Sequence, residues 1–220
     1  MATDYRRLFL RSLLALSLGS VVVALCYFFI DPPVARAVHG RDHSLDWLLK
    51  ALTLPPPVIE AWVPAVLVAL ALRRAFGPLT RWERTLLAAS VAVVLADQFR
   101  ESLSMVFGRS WPETWIDDNS SLIRDGDSAF HFFDSGAGGS SFPSGHTARM
   151  AALVAPFWLA YRWTRPVGVL VVLLTAVGLV GMNYHYVGDV VAGGLIGFVV
   201  GSYAAAVADL TPASPQRRGP

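Results

Sequence analysis

Phe142-Pro143-Ser144-Gly145-His146-Thr147-Ala148 opens one apolar stretch of the chain, and His185-Tyr186-Val187-Gly188-Asp189 opens another. Each segment sets ionisable side chains at the mouth of a run long enough to cross a bilayer. An Asp at the centre of a membrane helix costs about 2.5–3.5 kcal/mol on insertion scales, so such a cluster marks a functional site by default. Ser144 reads as a helix N-cap, which puts Gly145, His146 and Thr147 in a first turn whose unpaired N–H groups and positive dipole end favour an anion. Gly145, without a side chain, permits close backbone approach. His185 and Asp189 stand four apart, on one helical face. At that spacing a carboxylate holds an imidazole in one tautomer and stabilises its cation. The arrangement suits phosphate chemistry, with one histidine attacking and the other donating a proton.

The rest of the chain fits a membrane protein. Of 220 residues, 54% are hydrophobic and only 15% charged, and the length is that of one domain. Runs long enough to span lie near Leu13 to Ile30, Leu52 to Leu72, Leu86 to Phe107, Thr147 to Trp163, Val167 to Met182 and Val190 to Val207. The expected fold is therefore all-α, a six-transmembrane-helix bundle over residues 1–209, with residues 210–220 a disordered cytoplasmic tail. Pro55-Pro56-Pro57, Glu60 and Pro64 interrupt the second run. Arg6, Arg7 and Arg11 ahead of the first run resemble the start of a secretory signal, but the run is long and Asp31-Pro32-Pro33 separates it from Ala35 to Ala37, so we read a retained anchor.

Arginine placement sets the orientation. The amino terminus, the connection holding Arg73, Arg74, Arg81 and Arg84, the one holding Arg162 and Arg165, and the tail with Arg217 and Arg218 carry eleven of the 18 Lys and Arg residues. These belong in the cytoplasm with both termini. The opposite face then carries both histidine segments and the loop between the third and fourth spans, which is acidic at Glu113, Asp117, Asp118, Asp125, Asp127 and Asp134. A net charge of +2 is too small to imply nucleic acid, and Cys26 alone forms no internal disulfide.

The two segments resemble the second and third motifs of the type-2 phosphatidic acid phosphatase superfamily, membrane lipid phosphatases related to vanadium haloperoxidases. Pro143 to His146 is the complete Pro-Ser-Gly-His motif, and His185 and Asp189 match the His and Asp of the third, although Gly178 and Leu179 stand where that motif has Ser-Arg. Aligning Phe107-Gly108-Arg109 on the first motif puts Ser104 at its lysine, Trp111 at its arginine and Pro112 at its proline. Three family cations are missing. The resemblance covers about Leu86 to Gly201. It implies a phosphorylated membrane lipid as substrate and no cofactor, and the arginine asymmetry puts the active site at the outer face of an expected bacterial inner membrane. His185, held by Asp189, would attack phosphorus to form a phosphohistidine, and His146 would protonate the leaving oxygen. A lipid phosphotransferase and a non-catalytic lipid-binding relative remain alternatives.

Candidate phosphate ligands are Ser144, Gly145 and Arg109, with Arg149 and Arg100 as substitutes for the lost cations. Arg100 has the alternative of an ion-pair network with Asp97 and Glu101. Trp111 and Trp115 read as interface anchors, His131 as loop packing, and Asp42 to Leu52 as an interfacial helix. His39 and His43 lack a third metal partner. Gly193, Gly197 and Gly201 read as a seam for close helix packing. The arginine asymmetry makes a topology prediction. Reporters fused after Gly139 and after Arg165 are expected on opposite sides of the membrane, with Gly139 outside; a cytoplasmic Gly139 inverts the orientation.

Overall fold

The computed structural model describes residues 4–115, 117–134, 136 and 139–210. The last ten residues of the expected tail lie outside that range; Leu210 is buried against Ala88 and Ala205. The described chain is helical, with isolated bridges Arg109 to Phe130 and Trp111 to Ser121 in the long loop. Helix α1 (Tyr5–Leu25) runs through a π turn (Cys26–Ile30) into α2 (Asp31–His39). Sequence reading ends the first span at Asp31-Pro32-Pro33, yet the helical path continues. Prolines without N–H groups sit in the first turn of α2, where no intrahelical donor is needed, and the Asp31 N–H reaches back five residues to the Cys26 carbonyl.

The short α3 (Asp46–Thr53) leads directly into α4 (Pro55–Ala75), then α5 (Arg81–Phe107). Thr80 and Glu83 cap α5 reciprocally, the Thr80 hydroxyl accepting the Glu83 N–H at 3.2 Å and the Glu83 carboxylate accepting the Thr80 N–H at 2.7 Å. Gly108 ends α5 at φ +54°, and a Cβ there would lie 2.1 Å from the His131 carbonyl oxygen, so only glycine fits. After the one-turn α6 (Leu122–Asp125) come α7 (Gly145–Ala160), α8 (Arg165–Gly181) and α9 (Val187–Val207).

Helices α7 and α9 form the centre, flanked by α5, with α1 on α9 and α3 on α8. Four helical stretches among the described residues are long and apolar enough to cross a bilayer: Tyr5–His39, Asp46–Ala75, Arg162–Gly181 and Val187–Val207. The sequence reading expects six. The other two candidates are α5, with Asp97, Arg100 and Glu101 in its second half, and α7, of 16 residues. The charges in the second half of α5 and the short length of α7 are why apolar length does not single them out.

The glycine seam is where the sequence places it. A Cβ on Gly193 would sit 2.2 Å from the Ser144 carbonyl oxygen, on Gly197 2.0 Å from that of Ala148, and on Gly201 2.8 Å from that of Ala152. Backbone thus meets backbone along α7 and α9. Gly197→Val is expected to destabilise the bundle by about 1–3 kcal/mol through overpacking. Gly194→Ala, in open space, is expected to be neutral. Thermal unfolding in detergent compares the two, and equal melting temperatures would refute the seam.

Candidate active site

His146 is the second residue of α7, and its ring lies 6.4 Å, centroid to centroid, from that of His185. His185 owes its place to the α8–α9 reversal. Asn183 adopts a left-handed conformation at φ +56°, and the Tyr184 N–H returns to the Leu179 carbonyl at 2.9 Å, closing α8 and turning the chain into α9. The two motifs are joined by backbone, the Ser144 N–H donating to the Asp189 carbonyl at 3.0 Å.

Asp189 is fully buried. One carboxylate oxygen, Oδ2, accepts the Tyr186 N–H at 3.0 Å and lies 3.6 Å from His185 Nδ1, an electrostatic contact longer than a hydrogen bond. The other, Oδ1, accepts Arg109 Nη1 at 2.6 Å. Arg109 Nη2 donates to Asp31 Oδ2 at 2.8 Å, and Asp31 Oδ1 accepts the Gly188 N–H at 2.9 Å. The guanidinium, itself fully buried, lies 4.0 Å from the Tyr186 ring centroid and 5.1 Å from those of Tyr27 and Phe130. Burial alone would lower its pKa, but the charges of Asp189 and Asp31 outweigh this and raise it above the ordinary value. Burial likewise pushes the Tyr186 phenol up, and its hydroxyl donates to the Trp111 carbonyl at 3.0 Å.

Between the histidines opens a cavity of about 390 Å³. His146, His185, Gly145, Arg100 and Arg149 line it, together with Trp111, Trp115, Ser140, Pro143, Leu179 and Tyr184. Arg149 Nη2 pairs with Asp97 at 2.6 Å and Glu60 at 3.1 Å, while Arg100 Nη1 pairs with Glu101 at 2.8 Å. The Nε groups of both arginines are buried and have no hydrogen-bond partner among the described residues. A Cβ on Gly145 would fall 3.0 Å from Arg100 Nε, so this glycine makes room for that guanidinium.

Two candidate phosphate ligands, Arg109 and Ser144, lie away from the cavity. Arg109 is absent from the cavity wall: its guanidinium is turned inward and held by two carboxylates, so it supports Asp189 instead of meeting a ligand. Trp111 and Trp115 both line the cavity, Trp111 lying 5.3 Å from the His185 ring. Ser144 occupies the N-cap position of α7 without a side-chain capping bond; its buried Oγ lacks a partner among the described residues and does not line the cavity. Arg100 and Arg149 do line it, and Arg100 also makes ion pairs with Asp97 and Glu101. Sequence reading misses Asp31. A carboxylate ending an apolar run is a usable signal, but beside two prolines it reads as a span boundary. Among the described residues no three His, Cys, Asp or Glu side chains group as metal ligands. His39 pairs with Glu113, His43 with Asp46 and His131 with Asp127.

The chain matches the family model of the PAP2 superfamily over residues 84–210, more than half its length. This protein belongs to the PAP2 superfamily. The matched region contains every cavity-lining residue and leaves out Asp31. A comparison with curated proteins gives no match. Among solved structures, the chain is similar to the crystal structure of a transmembrane PAP2-type phosphatidylglycerolphosphate phosphatase from Bacillus subtilis, with a TM-score of 0.56 and 14% identity over 88% of this chain and 93% of that one. At that identity the likeness is one of fold, and it covers nearly the whole of both chains. This PAP2 protein is thus a helical multi-pass membrane protein in which His146 and His185 face one cavity.

The ion triad makes a stability prediction. Arg109→Ala leaves two buried carboxylates without their cation and is expected to cost about 3–5 kcal/mol. Arg109→Lys should restore only part, because an ammonium cannot bridge two carboxylates as a planar fork does. Denaturant unfolding in detergent measures both. A phosphate ligand outside the folding core would instead leave stability unchanged in Arg109→Ala.

Proposed function

We propose that this PAP2 protein hydrolyses a phosphomonoester or diphosphate on a membrane lipid through a phosphohistidine intermediate. The observation that carries the reading is the pair His146 and His185 facing one cavity that Arg100 and Arg149 also line. Asp189 stands against Nδ1 of His185, so Nε2 is the nitrogen left to attack. In the first step the Nε2–P bond forms and the P–O bond to the lipid breaks. His146 delivers a proton to the departing oxygen, which would otherwise leave as a high-energy alkoxide. In the second step His146 takes a proton from water, whose oxygen attacks phosphorus and releases inorganic phosphate with His185 restored. The unpartnered Nε groups of Arg100 and Arg149 and the first-turn N–H groups of α7 supply donors for the phosphoryl oxygens. Asp189, held by Arg109 and the Tyr186 N–H, stabilises the imidazolium that forms at His185. This sequence of steps needs no metal.

In this reading α5 and α7 complete a six-span bundle with both termini in the cytoplasm of a bacterial cell. The cavity then opens at the outer face, where a lipid phosphate lies beside the hydrocarbon layer. Ser104, Trp111 and Leu179 at the cation positions favour the non-catalytic alternative. Against it stand the intact histidine pair and its counter-ion, which such a protein has no reason to keep in reacting geometry.

The test is phosphate release from purified protein against a panel of lipid phosphates, with two variants. His185→Ala is expected to abolish turnover and the acid-labile phosphoenzyme. His146→Ala should slow turnover by roughly 100- to 10,000-fold, and a substrate with a good leaving group should recover much of that loss. Equal recovery in both variants would dissolve the assigned roles, and wild-type protein inert on the whole panel would favour the non-catalytic reading.

A further inference from the structure

A second and larger cavity, about 1170 Å³, lies along α1, α5 and α9 and shares no lining residue with the active-site cavity. It is a groove. Helix α1 rests on α9 at Gly19, where a Cβ would come within 2.2 Å of Leu195 Cδ2. Val91, Leu95 and Phe99, four apart on one face of α5, form one wall; Val199 and Tyr203 of α9 and Leu16 of α1 add further apolar lining. From Arg84 to Phe99 the α5 axis rises about 22 Å, beyond the roughly 15 Å depth of one leaflet's hydrocarbon. An extended acyl chain fits along it.

The end of this groove carries charge. Four arginines cluster where α4 turns into α5, and the protein uses two of them: Arg73 pairs with Glu83 at 3.0 Å, and Arg81 donates to the Ala160 carbonyl at 3.1 Å and lies 5.4 Å from the Tyr161 ring centroid. The other two, Arg74 and Arg84, line the groove and are exposed, and their guanidinium groups make no hydrogen bond or ion pair with any described residue. Unpartnered guanidinium groups at the mouth of an apolar trough complement a phosphate headgroup in charge and geometry. Basic pockets between membrane helices on the arginine-rich side take anionic lipid headgroups.

We propose that this groove is a binding site for an anionic phospholipid, its phosphate on Arg74 and Arg84 and its acyl chain against α5 and α9. The ligand is held by net charge at one end and apolar length along the rest. The site does not depend on the phosphatase reading, since it has no part in the histidine cavity.

The experiment titrates phosphatidylglycerol or phosphatidylcholine into purified protein in detergent and follows bound lipid by native mass spectrometry. Phosphatidylglycerol is expected to bind at least 10-fold tighter, and the double variant Arg74→Gln, Arg84→Gln to lose that preference. Arg73→Gln removes one charge from the same connection without touching the groove and should keep it. The double variant should melt as the wild type does without lipid, because neither side chain has a partner to lose. Leu95→Trp, which fills the groove and leaves both arginines in place, should weaken phosphatidylglycerol binding independently. Equal binding of the two lipids, retained preference in the double variant, or an equal loss in Arg73→Gln would overturn the proposal. So would a dimer that forms over this face and is indifferent to added lipid.

Discussion

Arg109 between Asp31 and Asp189 is the interaction on which the rest of the site depends. All three side chains are fully buried, and removing ions from water is costly unless each charge finds a counter-charge and each lone pair a donor. The triad meets that condition almost completely. The guanidinium bridges the two carboxylates, and the excess negative charge is met by the N–H groups of Gly188 and Tyr186. Three parts of the chain far apart in sequence are thereby fixed together: the start of α2, the loop just after α5 and the first turn of α9. Asp189 Oδ1 is committed to Arg109, which leaves Oδ2 oriented toward His185. The position of one imidazole thus follows from ionic bonds made on the side away from the cavity.

The cavity has a different electrostatic character. Its two arginines are offset by Asp97, Glu60 and Glu101 on the protein side, so it presents directed N–H groups more than net positive charge. Trp111 and Leu179 occupy the positions where the family motifs have cations and give the cavity apolar walls instead. The donors that converge there are the unpartnered Nε groups of Arg100 and Arg149.

The histidine pair, the carboxylate beside it and the glycine seam were legible in sequence because they depend on local spacing. His146 follows an N-cap position, His185 and Asp189 are one helical turn apart, and Gly193, Gly197 and Gly201 repeat at that same interval. The direction in which Arg109 points was not legible. A single arginine after a helix-ending glycine can meet a ligand or a buried carboxylate, and the deciding partner, Asp31, lies 78 residues away. Trp111 is a similar case, since local spacing gives no sign that the loop carrying it folds beside His185. Local pattern brings the histidines, Asp189 and the glycine seam into view; long-range packing decides where Arg109 points and brings in Asp31.

The glycine seam along α7 and α9 separates two tasks. Because the backbones touch from Gly193 to Gly201, the spacing of the two imidazoles is set by main-chain contact and not by adjustable side-chain volumes. The walls that meet the rest of a ligand come largely from elsewhere: the loop after α5 gives Trp111 and Trp115, and the α8 end gives Leu179 and Tyr184. Changes in those walls can therefore reshape the cavity while the two imidazoles keep their spacing. A scaffold divided in this way varies at its rim and stays fixed along its axis.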